Sequence, residues 1–81
     1  MNFTASITVG LKDGMLDPEA NTILKALNNQ GFHAETLKAE RKFTVTFLAL
    51  NKDDAHAQAV SMCEQLLANP VIQRYEIEVL G

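Results

Sequence analysis

The order of periodic segments predicts an α+β fold, a two-layer sandwich of order βαββαβ, with a mostly antiparallel sheet and two helices on one face. Three segments carry apolar residues at alternate positions, as half-buried strands do, and a fourth does so weakly. Two others carry apolar residues three and four positions apart, as amphipathic helices do. Because neither βαβ half is large enough to bury its own sheet, we expect both to share one, in a single domain over residues 1–81.

The first half of the chain is expected to form one strand and one helix. Residues 3–11 carry apolar side chains at odd positions and mostly hydroxyls at even ones, which predicts a strand with one buried face. Asp17-Pro18 is typical of a helix start, since the carboxylate accepts from first-turn amides and proline has no amide hydrogen to leave unpaired. Gly31 is expected to end this helix as a left-handed cap.

The second half begins with a predicted hairpin. Residues 32–38 indicate a weak strand and residues 42–50 a clear one, with Glu40-Arg41 between them as the turn. Asn51 or Asp53 is expected to cap the second helix.

The second helix and the last strand complete the ferredoxin-like order. Asn69-Pro70 is expected to stop the helix, and residues 71–80 alternate as a strand. The predicted buried stripe of the helix consists of Ala55, Ala59, Met62, Cys63 and Leu66, widened by Val60 and Leu67.

Composition indicates a small globular protein that associates with itself. The 81 residues are 47% hydrophobic and 21% charged, an ordinary globular balance. A net charge of −3 argues against nucleic acid or an anionic membrane as partner. Cys63 is the single cysteine, so no internal disulfide can form and a reducing cytoplasm is expected. A domain this small without disulfides is often supported by self-association, so we expect at least a dimer.

Signatures of catalysis and of ligand binding are absent from the sequence. No glycine-rich phosphate motif occurs, and His33 and His56 have no companion ligands. Cys63 lies within the apolar stripe, where a thiol is inert. We therefore predict no catalytic residue and no metal site. A regulatory ligand-binding module of the ferredoxin-like kind, acting at a dimer interface, stays open as an alternative, as does an enzyme in its own right.

Three segments together resemble one family. They are residues 9–20 (VGLKDGMLDPEA), residues 26–27 with 31–32 (AL and GF), and residues 62–72 (MCEQLLANPVI) with 75–78 (YEIE). They are similar to the PurS family, the small subunits of phosphoribosylformylglycinamidine (FGAM) synthase.

The resemblance implies a non-catalytic subunit in de novo purine (IMP) biosynthesis. Such a subunit bridges a synthetase (PurL-type) and a glutaminase (PurQ-type) subunit and helps ammonia pass between them during the ATP- and glutamine-dependent conversion of formylglycinamide ribonucleotide (FGAR) to FGAM. It implies no cofactor on this chain, ATP and Mg on the synthetase subunit, and a homodimer. Whether that dimer pairs further into a tetramer is left open by the sequence.

Interface candidates are the first loop, the predicted hairpin and the corner before the last strand. Family members usually have a glycine where Arg41 stands. Whether Arg41 can adopt the backbone conformation that the glycine allows is therefore left open. The candidates are Lys12, Asp13, Gly14, Met15, Leu16, Asp17, Arg41, Lys42, Asn69 and Pro70.

Overall fold

The structure, a computed structural model, describes residues 1–81 and confirms the α+β class. None of its helices is both long enough and apolar enough to cross a membrane. The elements are β1 (Asn2–Leu11), α1 (Pro18–Asn29), β2 (Arg41–Leu48), α2 (Lys52–Met62), one π-helical turn (Cys63–Leu67) and β3 (Gln73–Val79).

The sheet has three antiparallel strands with β1 in the centre, in the order β2-β1-β3. Ile7 lies opposite Phe43 of β2 and opposite Ile77 of β3, so the predicted apolar positions share one face. The other face, which we call the open face, is polar: Thr4 and Thr46 hydroxyl oxygens lie 3.0 Å apart on it. Its side chains are those of even-numbered strand residues, among them Thr4, Ser6, Thr8, Lys42, Thr44, Thr46, Glu76 and Glu78.

The core lies between β1 and α2. Ile7 is fully buried, and the small side chain of Ala59 lets the helix backbone approach the sheet closely. Phe43 and Phe47 of β2 pack at the margin and stay half-buried. The sheet is therefore covered well above β1 and only partly above β2.

The predicted helix ends are confirmed. The Asp17 carboxylate accepts a hydrogen bond from the Ala20 N–H at 3.1 Å, and the Asn51 side chain accepts one from the Asp54 N–H at 2.8 Å. Asn51, not Asp53, is thus the cap of α2. Gly31 follows the end of α1 with a φ of 99°, in the left-handed region that favours glycine.

The predicted strand over 32–38 and the hairpin at Glu40-Arg41 are wrong. Residues 32–40, which we call the arm, are free of helix or strand, and the arm runs into β2 without a turn. No backbone group of residues 35–40 forms a hydrogen bond within the chain. A tight hairpin needs residues that accept positive φ, and neither glutamate nor arginine favours it.

The predicted burial of Leu66 is also wrong. The Ala68 N–H donates to the Cys63 carbonyl at 3.0 Å, which is the wider spacing of a π-turn. The extra residue in that turn rotates the following side chains around the helix axis. Leu67 and Ala68 pack against the core as a result, whereas Leu66 is 84% exposed.

The chain is far more extended than its length requires. Its radius of gyration is 16.1 Å and its extents are 51 × 24 × 14 Å, whereas a compact chain of this length has a radius of about 12 Å. Helix α1 accounts for part of this extension. It is bound to the arm through Asn28, whose side chain donates a hydrogen bond to the Ala34 carbonyl and accepts one from the Ala34 N–H. Ile23 of α1 remains 41% exposed. Helix α1 and the arm therefore form a projection from the body of the molecule.

Candidate partner interface

Two of the predicted candidate segments are held together by the backbone. The Lys12 N–H donates to the Ile72 carbonyl at 2.9 Å, which ties the loop after β1 to the corner before β3. Within that corner the Asn69 side chain accepts from the Val71 N–H at 3.1 Å, and its carbonyl accepts from the Gln73 N–H at 2.7 Å. Asn69 thus shapes a tight turn of the kind asparagine favours.

All three candidate segments contribute to one surface hollow, which we call the leucine hollow. It has a volume of about 670 Å³, and its wall includes Leu16 and Asp17 from the loop, Arg41 from β2 and Asn69 from the corner. Leu66 lines the same hollow. Tertiary structure has therefore gathered segments that are far apart in sequence around one concave surface.

Two exposed leucines stand out in a hollow whose lining is otherwise largely polar. Leu16 is 75% exposed and Leu66 is 84% exposed. Val71, beside the corner, is 76% exposed. Apolar side chains grouped on a surface and rimmed by polar residues are typical of protein–protein contact sites.

The rest of the loop lines a second hollow against the arm, the arm hollow, of about 340 Å³. Lys12, Asp13, Gly14 and Met15 belong to its wall, as does Lys38 of the arm. Lys38 Nζ lies 3.6 Å from Asp13 Oδ1, and both side chains are largely exposed, so this ion pair contributes little. Gly14 has a φ of 85°, so a side chain there would strain the loop.

Two candidates lie apart from both hollows. Lys42 is on the open face, opposite Thr8, one strand position from Arg41 and therefore on the other side of the sheet. Pro70 is exposed in the turn before β3. Arg41 itself is in strand conformation, and no residue other than glycine has a positive φ. Arginine is therefore accommodated here without backbone strain.

Leu66 is the residue of this surface that the sequence did not reveal. Its spacing from Ala59 and Cys63 fits a regular helical stripe, so it was expected in the core. Only the π-turn, which has no sequence signature at this position, turns it outward.

The fold raises the pKa of two side chains, Cys63 and Tyr75. Cys63 is fully buried, and that burial raises the pKa of its thiol, with a smaller contribution from the neighbouring Glu64 carboxylate. Desolvation, and then Glu64, raises the pKa of Tyr75. No group of three or more His, Cys, Asp or Glu residues is placed to hold a metal ion.

Comparison with known sequences identifies close relatives. The family model PurS, described as phosphoribosylformylglycinamidine (FGAM) synthase, matches residues 4–81. A phosphoribosylformylglycinamidine synthase subunit PurS from Archaeoglobus fulgidus is 39% identical over 74 residues, which cover 90% of this chain and 92% of the relative.

Solved structures of similar proteins share the fold over nearly their whole length. PurS from Methanocaldococcus jannaschii, one of the subunits of formylglycinamide ribonucleotide amidotransferase, is 36% identical with a TM-score of 0.84, covering 95% of this chain and 94% of that one. A chain of the PurLQS structure from Thermotoga maritima is 30% identical with a TM-score of 0.88, covering 99% of both. Both the sequence and the fold therefore place this chain in the PurS family of phosphoribosylformylglycinamidine synthase subunits.

Proposed function

We propose that this chain is a non-catalytic assembly subunit of FGAM synthase, which bridges a synthetase (PurL-type) and a glutaminase (PurQ-type) subunit and assists ammonia transfer between them. The family membership supports this proposal, as does the similarity to a chain of the PurLQS structure. In the same proposal residues 1–81 act as one domain in the cytoplasm, and ATP and Mg belong to the synthetase subunit.

The leucine hollow is the observation that carries the proposal. Two large apolar side chains, Leu16 and Leu66, are 75% and 84% exposed and line its wall together. Burying one such side chain against a partner is worth about 1.5–3 kcal/mol. Asp17 and Arg41 at the same wall can supply polar contacts at the rim. A partner segment with an apolar side chain and a charged neighbour fits this surface.

A subunit without catalytic groups can still be needed for turnover. Ammonia that escapes into water is protonated and lost as a nucleophile, so a route closed to solvent preserves it. Excluding water from a reaction path requires a rigid, shaped seal rather than an acid or a base. The three-stranded sheet and the buried contact between β1 and α2 provide the rigid support.

The homodimer that the sequence predicts is proposed to form through the arm. Residues 35–40 present unpaired backbone donors and acceptors, and an open extended edge pairs readily with a second chain. Pairing of two arms would give these backbone groups hydrogen-bond partners. It would also place the projecting helix α1 of each copy against the second copy. This would cover the half-exposed apolar residues above β2, Phe43 and Phe47.

Reconstitution with the two larger subunits tests the bridging role. We expect glutamine-dependent formation of FGAM to require this chain, and ammonia-dependent formation at high ammonium concentration to require it much less, because external ammonia bypasses transfer. Full glutamine-dependent turnover by the other two subunits alone would overturn the proposal.

A pair of variants tests the surface. Leu16→Ser should lower glutamine-dependent turnover at limiting concentrations of this chain and leave the fold intact. Leu50→Ser is the matched control, since Leu50 is 82% exposed and lines neither hollow. Equal effects of the two substitutions would assign the interface elsewhere.

Proline substitutions test the arm. The N–H groups of successive residues in a strand point to opposite edges. If the arms pair, either Glu35→Pro or Thr36→Pro must therefore remove a hydrogen-bond donor from the ladder between them. We expect one of the two to weaken dimerisation in sedimentation equilibrium, whereas Glu35→Ala and Thr36→Ala should not. Wild-type association by both proline variants would rule out pairing through the arm.

The arm hollow favours one alternative, a regulatory module that binds a small ligand at the dimer interface. Its volume of about 340 Å³ is at the lower end for a ligand pocket. Its lining includes both cationic and carboxylate side chains: Lys12, Lys38, Arg74, Asp13, Asp17, Glu35 and Glu40. A thermal shift of the isolated chain with one amino acid, a ligand that carries both charges, abolished by Lys12→Ala, would support this alternative against the assembly role.

A further inference from the structure

Gln73 is a polar residue in an otherwise apolar row at the start of β3. Its side chain lies on the core side of the sheet, in line with Tyr75 and Ile77, and it is half-buried. A polar side chain in such a place is normally held by a hydrogen bond. Its partner is the backbone of Asn69, whose N–H donates to Gln73 Oε1 at 2.7 Å. No carbonyl of the chain accepts from that N–H, so Gln73 supplies the acceptor that it would otherwise lack.

The main chain joins the same two residues a second time. The Gln73 N–H donates to the Asn69 carbonyl at 2.7 Å. Between them the Asn69 side chain accepts from the Val71 N–H at 3.1 Å, and the Asn69 carbonyl also accepts from the Ile72 N–H at 3.1 Å. Residues 69–73, which we call the corner loop, are therefore fixed by hydrogen bonds made among themselves, and the Gln73 side chain closes the ring.

The corner loop is fastened to two of the elements that build the leucine hollow. On one side it follows the π-turn that carries Leu66. On the other side the Ile72 carbonyl accepts from the Lys12 N–H at 2.9 Å, at the start of the loop after β1. Both Gln73 and Asn69 line the hollow themselves. A change in the shape of the corner loop would therefore shift the wall of the hollow.

Burial contributes little to holding the corner loop in place. Asn69 and Pro70 are exposed, and Val71 is 76% exposed, so few packing contacts fix their side chains. A surface loop that is held by hydrogen bonds instead keeps a defined shape in the free protein. Ordering a loop only upon binding costs free energy, so a loop that is already ordered binds a partner more tightly.

We propose that Gln73 is a positioning residue of the candidate interface, whose side-chain carbonyl pre-organises the corner loop for docking to one of the two larger subunits. This inference rests on the assembly role proposed above. The docked surface of the larger subunit is apolar, because Val71 of the corner loop and Leu66 of the adjoining hollow are both exposed and uncharged. Gln73 touches no reacting atom, and it acts through the shape of the corner loop.

Two substitutions of Gln73 separate the hydrogen-bond acceptor from the rest of the side chain. Gln73→Glu keeps an oxygen that can accept from the Asn69 N–H, so the corner loop should keep its shape. Gln73→Met has a similar length and no oxygen, so the corner loop should loosen while most of the packing remains. The net contribution of one hydrogen bond corresponds to about a threefold to tenfold change in an equilibrium constant, which is the loss of affinity expected for Gln73→Met.

Gln58 provides the matched control, because it too binds the backbone through its side chain. Its Nε2 donates to the Leu48 carbonyl at 3.1 Å, and it lines neither the leucine hollow nor the arm hollow. Each variant of the full chain is titrated into the two larger subunits, and glutamine-dependent turnover is followed to saturation. We expect Gln73→Met to raise the half-saturating concentration about threefold to tenfold at a maximal rate near that of wild type. Gln73→Glu and Gln58→Met should match wild type in both quantities. Hydrogen exchange of the isolated chain should be faster at the Asn69 and Val71 amides in Gln73→Met than in the other variants.

Three results would overturn the inference. One is a half-saturating concentration for Gln73→Met equal to that for Gln58→Met. Another is a loss of affinity in Gln73→Glu as large as in Gln73→Met, since the acceptor would then not be the group that matters. The third is exchange of the Asn69 amide in Gln73→Met as slow as in wild type. All three differ from failure of the assembly role itself, which would appear as full glutamine-dependent turnover without this chain.

Discussion

Adjacent leucines at the π-turn, Leu66 and Leu67, should respond in opposite ways to the same substitution. Leu67 packs against the core cluster, whereas Leu66 is 84% exposed at the leucine hollow. We expect Leu67→Ala to destabilise the chain and Leu66→Ala to spare its stability while weakening partner binding.

The magnitudes follow from burial. Leucine to alanine removes three carbons, each worth about 0.8 kcal/mol when fully buried, and Leu67 is half-buried, so Leu67→Ala should cost roughly 1–2 kcal/mol. For a domain of this size that lowers Tm by about 5–15 °C. Leu66→Ala should change the free energy of unfolding by about 0.5 kcal/mol at most, as exposed positions do. A chain of this length has only about 4–12 kcal/mol in total, so the difference is readily measured.

Thermal and urea unfolding at one fixed protomer concentration provide the stability assay, since self-association shifts Tm by mass action. Titration of each variant into the two larger subunits, read by glutamine-dependent turnover, provides the binding assay. A regular α-helix through residues 63–67 would instead bury Leu66 in the core stripe and keep Leu67 at the margin of that stripe. If Leu66→Ala destabilises the chain by more than Leu67→Ala does, the π-turn and the interface built on it are refuted.

Three further outcomes are expected. Asp17→Ala should lower the free energy of unfolding by about 1 kcal/mol through loss of the α1 cap, and Asp17→Asn should retain most of it, as urea unfolding would show. Gly31→Ala should cost about 1–2 kcal/mol because it forces a left-handed φ on a residue with a Cβ; a thermal midpoint equal to that of wild type would contradict this. The pKa of the Cys63 thiol is raised in the folded chain, so the folded chain keeps a proton that the unfolded chain loses above the ordinary thiol pKa of 9.0. The free energy of unfolding should therefore fall as pH rises past about 9, and it should fall less steeply in Cys63→Ala. Parallel pH profiles for the two proteins would speak against this.

Local chemistry explains why much of the fold was predictable. The helix ends depend on hydrogen bonds and backbone angles within a few residues, so they can be predicted from the sequence. This holds for Asp17-Pro18, Asn51 and Gly31. The alternation over β1 likewise required only that one face be buried, and Ile7 and Val9 are buried as expected. These caps and this strand depend on nearby residues, and they were predicted correctly.

The arm shows where such reasoning stops. Residues 32–38 have a weak alternation that is compatible with a strand, but a strand exists only when a neighbour accepts its hydrogen bonds, and none does within this chain. The hairpin depended on a turn at Glu40-Arg41 that neither residue favours. The choice between pairing within the chain and staying open belongs to long-range contacts, which no short pattern specifies.

The candidate interface, too, was predicted only in part from the sequence. The loop over residues 12–17, Arg41 and Asn69 were chosen by resemblance to a family, and the structure gathers members of all three segments at the leucine hollow. Lys42 lies on the opposite face of the sheet because neighbouring strand residues point in opposite directions.

The sequence by itself determined the class of fold, the caps of both helices, the buried face of β1 and the family, because each rests on local periodicity, on local hydrogen bonding or on residue identity. Only the tertiary structure decided that the arm stays unpaired, that Leu66 faces outward, and that Lys42 lies on the open face of the sheet, opposite Thr8. Those features depend on the direction in which a helical turn points its side chains and on the register of strands far apart in the chain. Both are determined by packing against the core.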